Sequence, residues 1–528
     1  MEQNNKDDTH NTLFRWHNFR LKLVFEAICV GIITGLLIVL YRYALEESGA
    51  FITKVYKTIS INPILILPWV AVLIILGYIV GLLVKHQPMI SGSGIPQVEG
   101  VLLRKLDMCW WKVILGKFIG GVLSIGSGLS LGREGPSVQL GAAVGLGFSK
   151  IFKRVKIEEK YLITSGASAG LAAAFNAPLA GVMFSLEEVH KNFSPLVLLS
   201  TLAAALSADF VARGFFGLKP VFNFENISIL PLKFYFYIVL LGVIIGALGV
   251  VFNNLLLKTQ DIYTKQKWLP KEMRIIIPLL ISVIFGIFLP QVLGGGHVLI
   301  VSLVTGNFPL TILIVILLVK FLFTMVCYGS GAPGGIFLPL LAIGALIGNV
   351  YGLLLVNFVH FDTMYVNNLV ILAMAGYFTA VVRSPITGII LIAEMSGSFK
   401  HMLSLAVVSI VAYIVADILA SKPIYESLLE KFLHNQGEKL SIGHNKTKAI
   451  LEFAVCMGSM LDGKQIKEVK WPSHCLLVSV KRGGDEILPK GDTIIYPGDY
   501  LVILTNEDKV SKINDALILM IGSCEILN

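Results

Sequence analysis

Charge is what this chain of 528 residues has least of: Asp, Glu, Lys and Arg together make up 15 %. A soluble globular protein carries about 25 %, so an ordinary cytosolic enzyme is excluded, as are a disordered chain and a coiled coil. Cysteine is also sparse. The six, Cys29, Cys109, Cys327, Cys456, Cys475 and Cys524, are scattered without a CxxC pair or an adjacent histidine, so neither a zinc site nor a disulfide framework is legible. The first 22 residues lack the apolar core and small-residue cleavage site of a signal peptide. What is abundant is apolar surface, at 55 % of residues, and glycine, at 50 positions. The formal net charge of +9 is explained by basic cytoplasmic flanks rather than by nucleic-acid binding.

Apolar segments of spanning length fall near 23–42, 63–85, 195–214, 232–255, 275–293, 309–327 and 402–419. Others, near 91–104, 126–149, 161–189, 329–356 and 371–397, are short or cut by Gly and Pro. A full crossing needs roughly 20 apolar residues, so the short pieces read as broken or re-entrant helices. Irregular backbone at membrane depth is tolerated only where protein or a water-filled cavity covers it, which points to a transport pathway. Lys6, Arg15, Arg20 and Lys22 precede the first span; Lys422, Lys431, Lys439, Lys446 and Lys448 follow the last. The positive-inside rule places both ends in the cytoplasm, with an even number of crossings.

Sliding the sequence by 203 residues pairs Lys117 with Lys320, Gly126 with Gly329, Gly132 with Gly335, Pro136 with Pro339, Gly141 with Gly344 and Gly145 with Gly348. A second block, offset by 207, pairs Pro178 with Pro385, Gly181 with Gly388 and Glu187 with Glu394. Two halves from one ancestral unit are the common plan of secondary transporters. Shared positions read as packing, and Glu187 and Glu394 as duplicated structural carboxylates. Two acids are unmatched and are the better functional candidates: Glu134, opposite Phe337, and Glu188, opposite Met395.

Three glycine stretches end at a proline: Gly92-Ser93-Gly94-Ile95-Pro96, Gly132-Arg133-Glu134-Gly135-Pro136 and Gly335-Ile336-Phe337-Leu338-Pro339. Proline suits a first helical turn, where its missing N–H would have had no partner. Each stretch therefore predicts a half-helix N-terminus inside the membrane, where free amides and the helix dipole attract an anion without a full cation. The plainer reading is three helix kinks.

These motifs, in this order, resemble the CLC family of chloride channels and chloride/proton exchangers over about residues 20–430, with FNAPLAGVMFSLEE at 175–188 and KPIYESLL at 422–429 also similar. The resemblance implies an all-α polytopic membrane protein with two repeated, inverted halves and broken helices, assembled as a homodimer with one pathway per subunit. It implies that the hydroxyls of Ser93 and Tyr425 and the backbone amides of Ile336 and Phe337 bind chloride. It makes Glu134 the external gate and proton-transfer group, and Glu188 the internal proton acceptor of exchangers. Serine rather than proline at position 93 implies chloride rather than nitrate. The expected activity is chloride/proton antiport in the plasma (inner) membrane, without a cofactor; the alternative is a passive voltage- or ligand-gated chloride channel.

Plainer roles exist for each residue: an ion pair of Glu134 with Arg133, a solvated helix-end Glu188 beside His190, a turn serine at Ser93, an interfacial anchor at Tyr425. Gly166-Ala167-Ser168-Ala169-Gly170 also fits the GxSxG pattern of serine hydrolases, with His190, His297 and His360 as the available bases, but it lies in an apolar stretch without a strand-turn-helix elbow.

The expected layout is a cytoplasmic N-terminal segment (1–22), a transport domain (23–433), a linker (434–446) and a cytoplasmic α+β domain (447–528). In the last, 475–482 and 493–505 read as strands, Gly483-Gly484 and Pro497-Gly498 as turns, and Asn506 as the cap of a helix through Val510, Ile513 and Leu517. It resembles the TrkA-C type of regulatory domain, which implies a small-molecule ligand such as a nucleotide.

Overall fold

A computed structural model of the protein describes residues 2–222, 224, 227–266, 269–306, 308–435, 448–483, 485–506 and 509–521, with side chains only from Phe19 onward. The chain divides into two compact units, Met1–Lys431 and Phe432–Asn528.

The first unit is helical. Its elements are α1 (Glu2–Ile61), α2 (Ile66–His86), α3 (Ile95–Leu102), α4 (Trp110–Gly126), α5 (Glu134–Ile151), α6 (Lys156–Phe175), α7 (Pro178–Phe184) and α8 (Pro195–Phe216). The second half holds α9 (Tyr235–Lys265), α10 (Ile276–Phe288), α11 (His297–Thr305), α12 (Leu310–Gly329), α13 (Phe337–Val359), α14 (Val366–Val382), α15 (Pro385–Ser396) and α16 (Met402–Ile418). α17 (Ile424–Asn435) follows. Among the described residues, eight helical stretches are long and apolar enough to cross a membrane.

The three glycine-proline stretches open α3, α5 and α13, as predicted. The span expected at 275–293 is shorter: α10 stops at Phe288, because Pro290 starts a separate single turn. Near the N-terminus, α1 continues through residue 22 without a break. Residues 434 and 435 of the expected linker still belong to α17, and the rest of it lies outside the described residues.

The repeat is a two-fold in space. Gly132 and Gly335, equivalent positions, exchange both backbone hydrogen bonds at 2.7 Å. Gly92 N–H donates to Gly331 O at 3.4 Å, and the mirrored bond from Gly294 N–H to Gly128 O is 3.3 Å. Glu187 accepts from Ile386 N (3.2 Å) and Thr387 N (2.8 Å) at the start of α15. Glu394 returns the contact, accepting from Leu179 N (3.1 Å) and Ala180 N (2.8 Å) at the start of α7. Each carboxylate satisfies first-turn amides that a helix leaves unpaired. Even the left-handed caps recur, Asn176 after α6 and Arg383 after α14.

Close helix contact follows from the shared glycines. A β-carbon on Gly141 would run into Gly166 O, and one on Gly145 into Leu162 O, so α5 and α6 pack backbone to backbone.

The second unit is an antiparallel sheet of β1 (Lys448–Ala454), β2 (Cys475–Arg482), β3 (Asp485–Ile487) and β4 (Tyr500–Asn506), ordered β1-β4-β2-β3, with α18 (Val510–Ile521) packed on it through Ile513 and Leu517. β2 has its predicted limits; β1 and β3 were not anticipated. The strand read at 493–505 begins only at Tyr500, because Pro497 and Gly498 (φ +86°) turn the chain first. Asn506 closes β4 and takes a hydrogen bond from Lys448 Nζ (2.5 Å), while the helix starts at Val510. Cys29, Cys109, Cys327 and Cys475 are free.

Candidate functional site

The site forms where α3, α5 and α13 begin. Ile336, Phe337 and Leu338 occupy the N-terminus of α13, so their amides have no intrahelical acceptor. The Gly132–Gly335 exchange brings the start of α5 to the same place; a β-carbon on Gly335 would lie 3.1 Å from Gly135 N. Ser93 closes a third side: a β-carbon on Gly135 would meet the Ser93 β-carbon at 2.8 Å. Glycine at 135 is thus required by close approach, not by turn geometry.

Ile336, Phe337, Glu134 and Tyr425 are fully buried, and Ser93 is 1 % exposed. Both Glu134 carboxyl oxygens are buried without a side-chain partner, and one lies over Gly132, beside the Leu338 amide. The ion pair with Arg133 does not form; Arg133 reaches Glu46 at 3.3 Å instead. Tyr425, on α17, presents a buried hydroxyl without a partner. Its ring meets Phe184 edge-on at 6.4 Å, and Phe184 meets Phe337 at 5.9 Å, so one aromatic chain ties α17 to the start of α13. The structure therefore brings together Ser93, Glu134, Ile336, Phe337 and Tyr425.

Glu188 lies in a π-helical turn, Ser185–Val189, that continues α7. Such turns recur at functional sites; here it aims two successive acids differently. Glu187 goes to α15, whereas Glu188 turns inward, accepts from Ser384 Oγ at 2.9 Å and keeps its other oxygen buried and unpaired. At 4 % exposure it is not a solvated helix-end acid. His190 instead bonds Thr164 Oγ1 at 2.9 Å, and the ion pair next to Glu188 is Lys191 with Glu99, at 2.5 Å.

The hydrolase reading fails on geometry. Ser168 sits in the middle of α6 and its hydroxyl donates to Thr201 O at 3.4 Å. His190 is held by Thr164, His297 is in hydrogen-bond contact with Val221 O at 3.2 Å, and His360 caps the end of α13.

Chemically, free amides at buried helix starts favour an anion, and the Glu134 carboxyl lies beside them. Missing from the sequence-based set was a fourth glycine loop, Gly294-Gly295-Gly296 before α11, the two-fold mate of Gly92-Ser93-Gly94. No proline follows it; the repeat alone could have disclosed it.

The chain matches the family described as voltage gated chloride channel over residues 76–417 and the TrkA-C domain over 450–517. The H(+)/Cl(-) exchange transporter ClcA of Vibrio campbellii is 37 % identical over 424 residues, 78 % of this chain and 90 % of the relative. The protein of the same name from Yersinia pseudotuberculosis is 34 % identical over 426 residues, covering 79 % and 89 %. A solved slow cyanobacterial Cl-/H+ antiporter superposes with a TM-score of 0.74 at 31 % identity, covering 79 % of this chain and 99 % of its own. With that breadth of match added to the duplicated half-helix site, this multi-pass membrane protein belongs to the voltage gated chloride channel (CLC) family.

Proposed function

We propose that the protein exchanges chloride for protons across the membrane. One observation carries the reading: a fully buried carboxylate, Glu134, has no side-chain partner and lies against the half-helix amides, beside that of Leu338. An ionisable side chain inside the membrane is costly. Deprotonated, Glu134 occupies the place a chloride would take; protonated, it loses its hold on the amides and chloride enters. Proton and anion occupancy thus exclude each other at one position. Ser93, Tyr425 and the amides of Ile336 and Phe337 bind the ion, and Glu188 passes protons between Glu134 and the cytoplasmic side. The names of the exchanger relatives support the same activity over a passive channel.

The reading extends to a homodimer in the bacterial inner membrane, with both ends cytoplasmic, a transport domain over 23–433, and a cytoplasmic regulatory domain from 447 that binds a small nucleotide. Mass measurement of the detergent-extracted protein tests the dimer, and thermal shift of the full chain with nucleotides tests the ligand.

The exchange test is paired flux in proteoliposomes. A chloride gradient alone is expected to drive protons uphill; chloride flow without uphill proton movement would make the protein a channel.

A further inference from the structure

Lys117, in the middle of α4, is entirely buried, and its Nζ donates to Ile90 O (2.9 Å) and Gly92 O (2.6 Å). Those carbonyls belong to the loop that presents Ser93. Gly92 (φ +61°) and Gly94 (φ +89°) give this loop a path that only glycine adopts freely, so it has little stiffness of its own. Buried carbonyls need donors; the amine supplies one to Ile90 O and a second to Gly92 O, which also accepts from Gly334 N at 2.9 Å. None of the ion pairs among the described residues includes Lys117, so the amine serves the loop and not an acid. Burying a lysine this way is expensive in desolvation and in side-chain entropy.

The second half repeats the device. Lys320, also fully buried, donates from Nζ to Val292 O (2.9 Å) and Gly294 O (2.6 Å). Between the flanking glycines of the clamped loops the residue changes: Gly295 stands where the first loop has Ser93. The fold thus holds two equal clamps, and only one grips a loop with a hydroxyl at the site.

We infer that Lys117 is a positioning residue for the anion: it fixes the carbonyls before Ser93 so that the hydroxyl and the start of α3 face the ion. The inference rests on the chloride site proposed above. Lys320 is its matched structural control.

The test compares Lys117→Met with Lys320→Met in the full-length protein, by calorimetric chloride titration and by the chloride dependence of flux. Each substitution removes the same two bonds, so both lower the melting temperature. Lys117→Met is expected to weaken chloride binding about tenfold or more, raising the half-saturating chloride concentration with little change in maximal flux. Adding Ser93→Ala to it costs little further, because the two act as one unit. Lys320→Met keeps chloride affinity within about twofold, below the worth of one hydrogen bond. Equal weakening in both variants, or none in Lys117→Met, overturns the assignment. Where Lys117→Met does not fold, Lys117→Gln, which keeps one donor group, gives intermediate affinity; wild-type affinity there overturns the assignment too. A wild-type protein that binds no chloride would instead defeat the site reading itself.

Discussion

Glu134 and Glu188 are both acids in an apolar setting, yet they differ in what surrounds them. Glu134 has no side-chain partner and sits against backbone amides, whereas Glu188 is anchored on one oxygen by Ser384. A free carboxylate can swing; an anchored one can relay. Glu134→Ala is expected to let chloride pass while abolishing uphill proton movement, measured as chloride and proton flux on the same vesicles; retained pumping would count against its role. Glu188→Gln keeps the Ser384 contact but holds no titratable proton, so proton movement should vanish while chloride flux persists. These two acids were legible because the repeat left them unmatched. Their geometry was not: nothing in the spacing of Glu187 and Glu188 says that a π turn sends one to α15 and the other inward.

Helices α5 and α6 illustrate how the repeat sets packing. A β-carbon on Gly166 would stand 2.1 Å from Gly141 O; its mate in the second half is Ala373, and there the approach is less close, a β-carbon on Gly344 standing 2.8 Å from Ala373 O. Gly166→Ala should therefore cost about 1–3 kcal/mol, more than Gly344→Ala, and should shift α5 and with it Glu134. The melting temperature in detergent, read beside the proton-to-chloride ratio, separates the two effects. At this scale the glycine-proline starts of α3, α5 and α13 were readable because a rigid ring and a missing N–H leave few other places for proline. The early end of α10 was not anticipated, since hydropathy runs straight through Pro290. β1 was missed because its alternating apolar positions are half-buried and follow polar chain.

Two units of different physics make up the molecule. One has backbone crossings where apolar side chains alone would hold the helices too far apart; the other is a small sheet whose core is finished by α18. In the second, Arg482 holds Asp499 with bonds of 2.7 and 2.8 Å, and Asp499 also accepts from Tyr496 N at 2.9 Å. Burial pushes the Asp499 carboxyl up, but the Arg482 and Tyr496 hydrogen bonds outweigh it and hold the carboxyl below its ordinary range. A depressed carboxyl stabilises the fold above the unfolded value, near pH 4, and loses that contribution as pH falls further. Hydrogen exchange of β2 and β4 in the full chain should rise below about pH 4. Asp499→Asn should raise it already at neutral pH, by about 2 kcal/mol of local opening, part of Arg482 being solvated. The arginine–aspartate pair spans 17 positions and carries no spacing rule, so only the folded sheet discloses it.

The mutual bonds between Gly132 and Gly335 stitch each half of the transporter to its own copy just ahead of α5 and α13. A machine joined there cannot rock one half past the other without tearing both stitches together. The proposed exchange is thereby left to small moving parts, the Glu134 carboxyl arm and its neighbours.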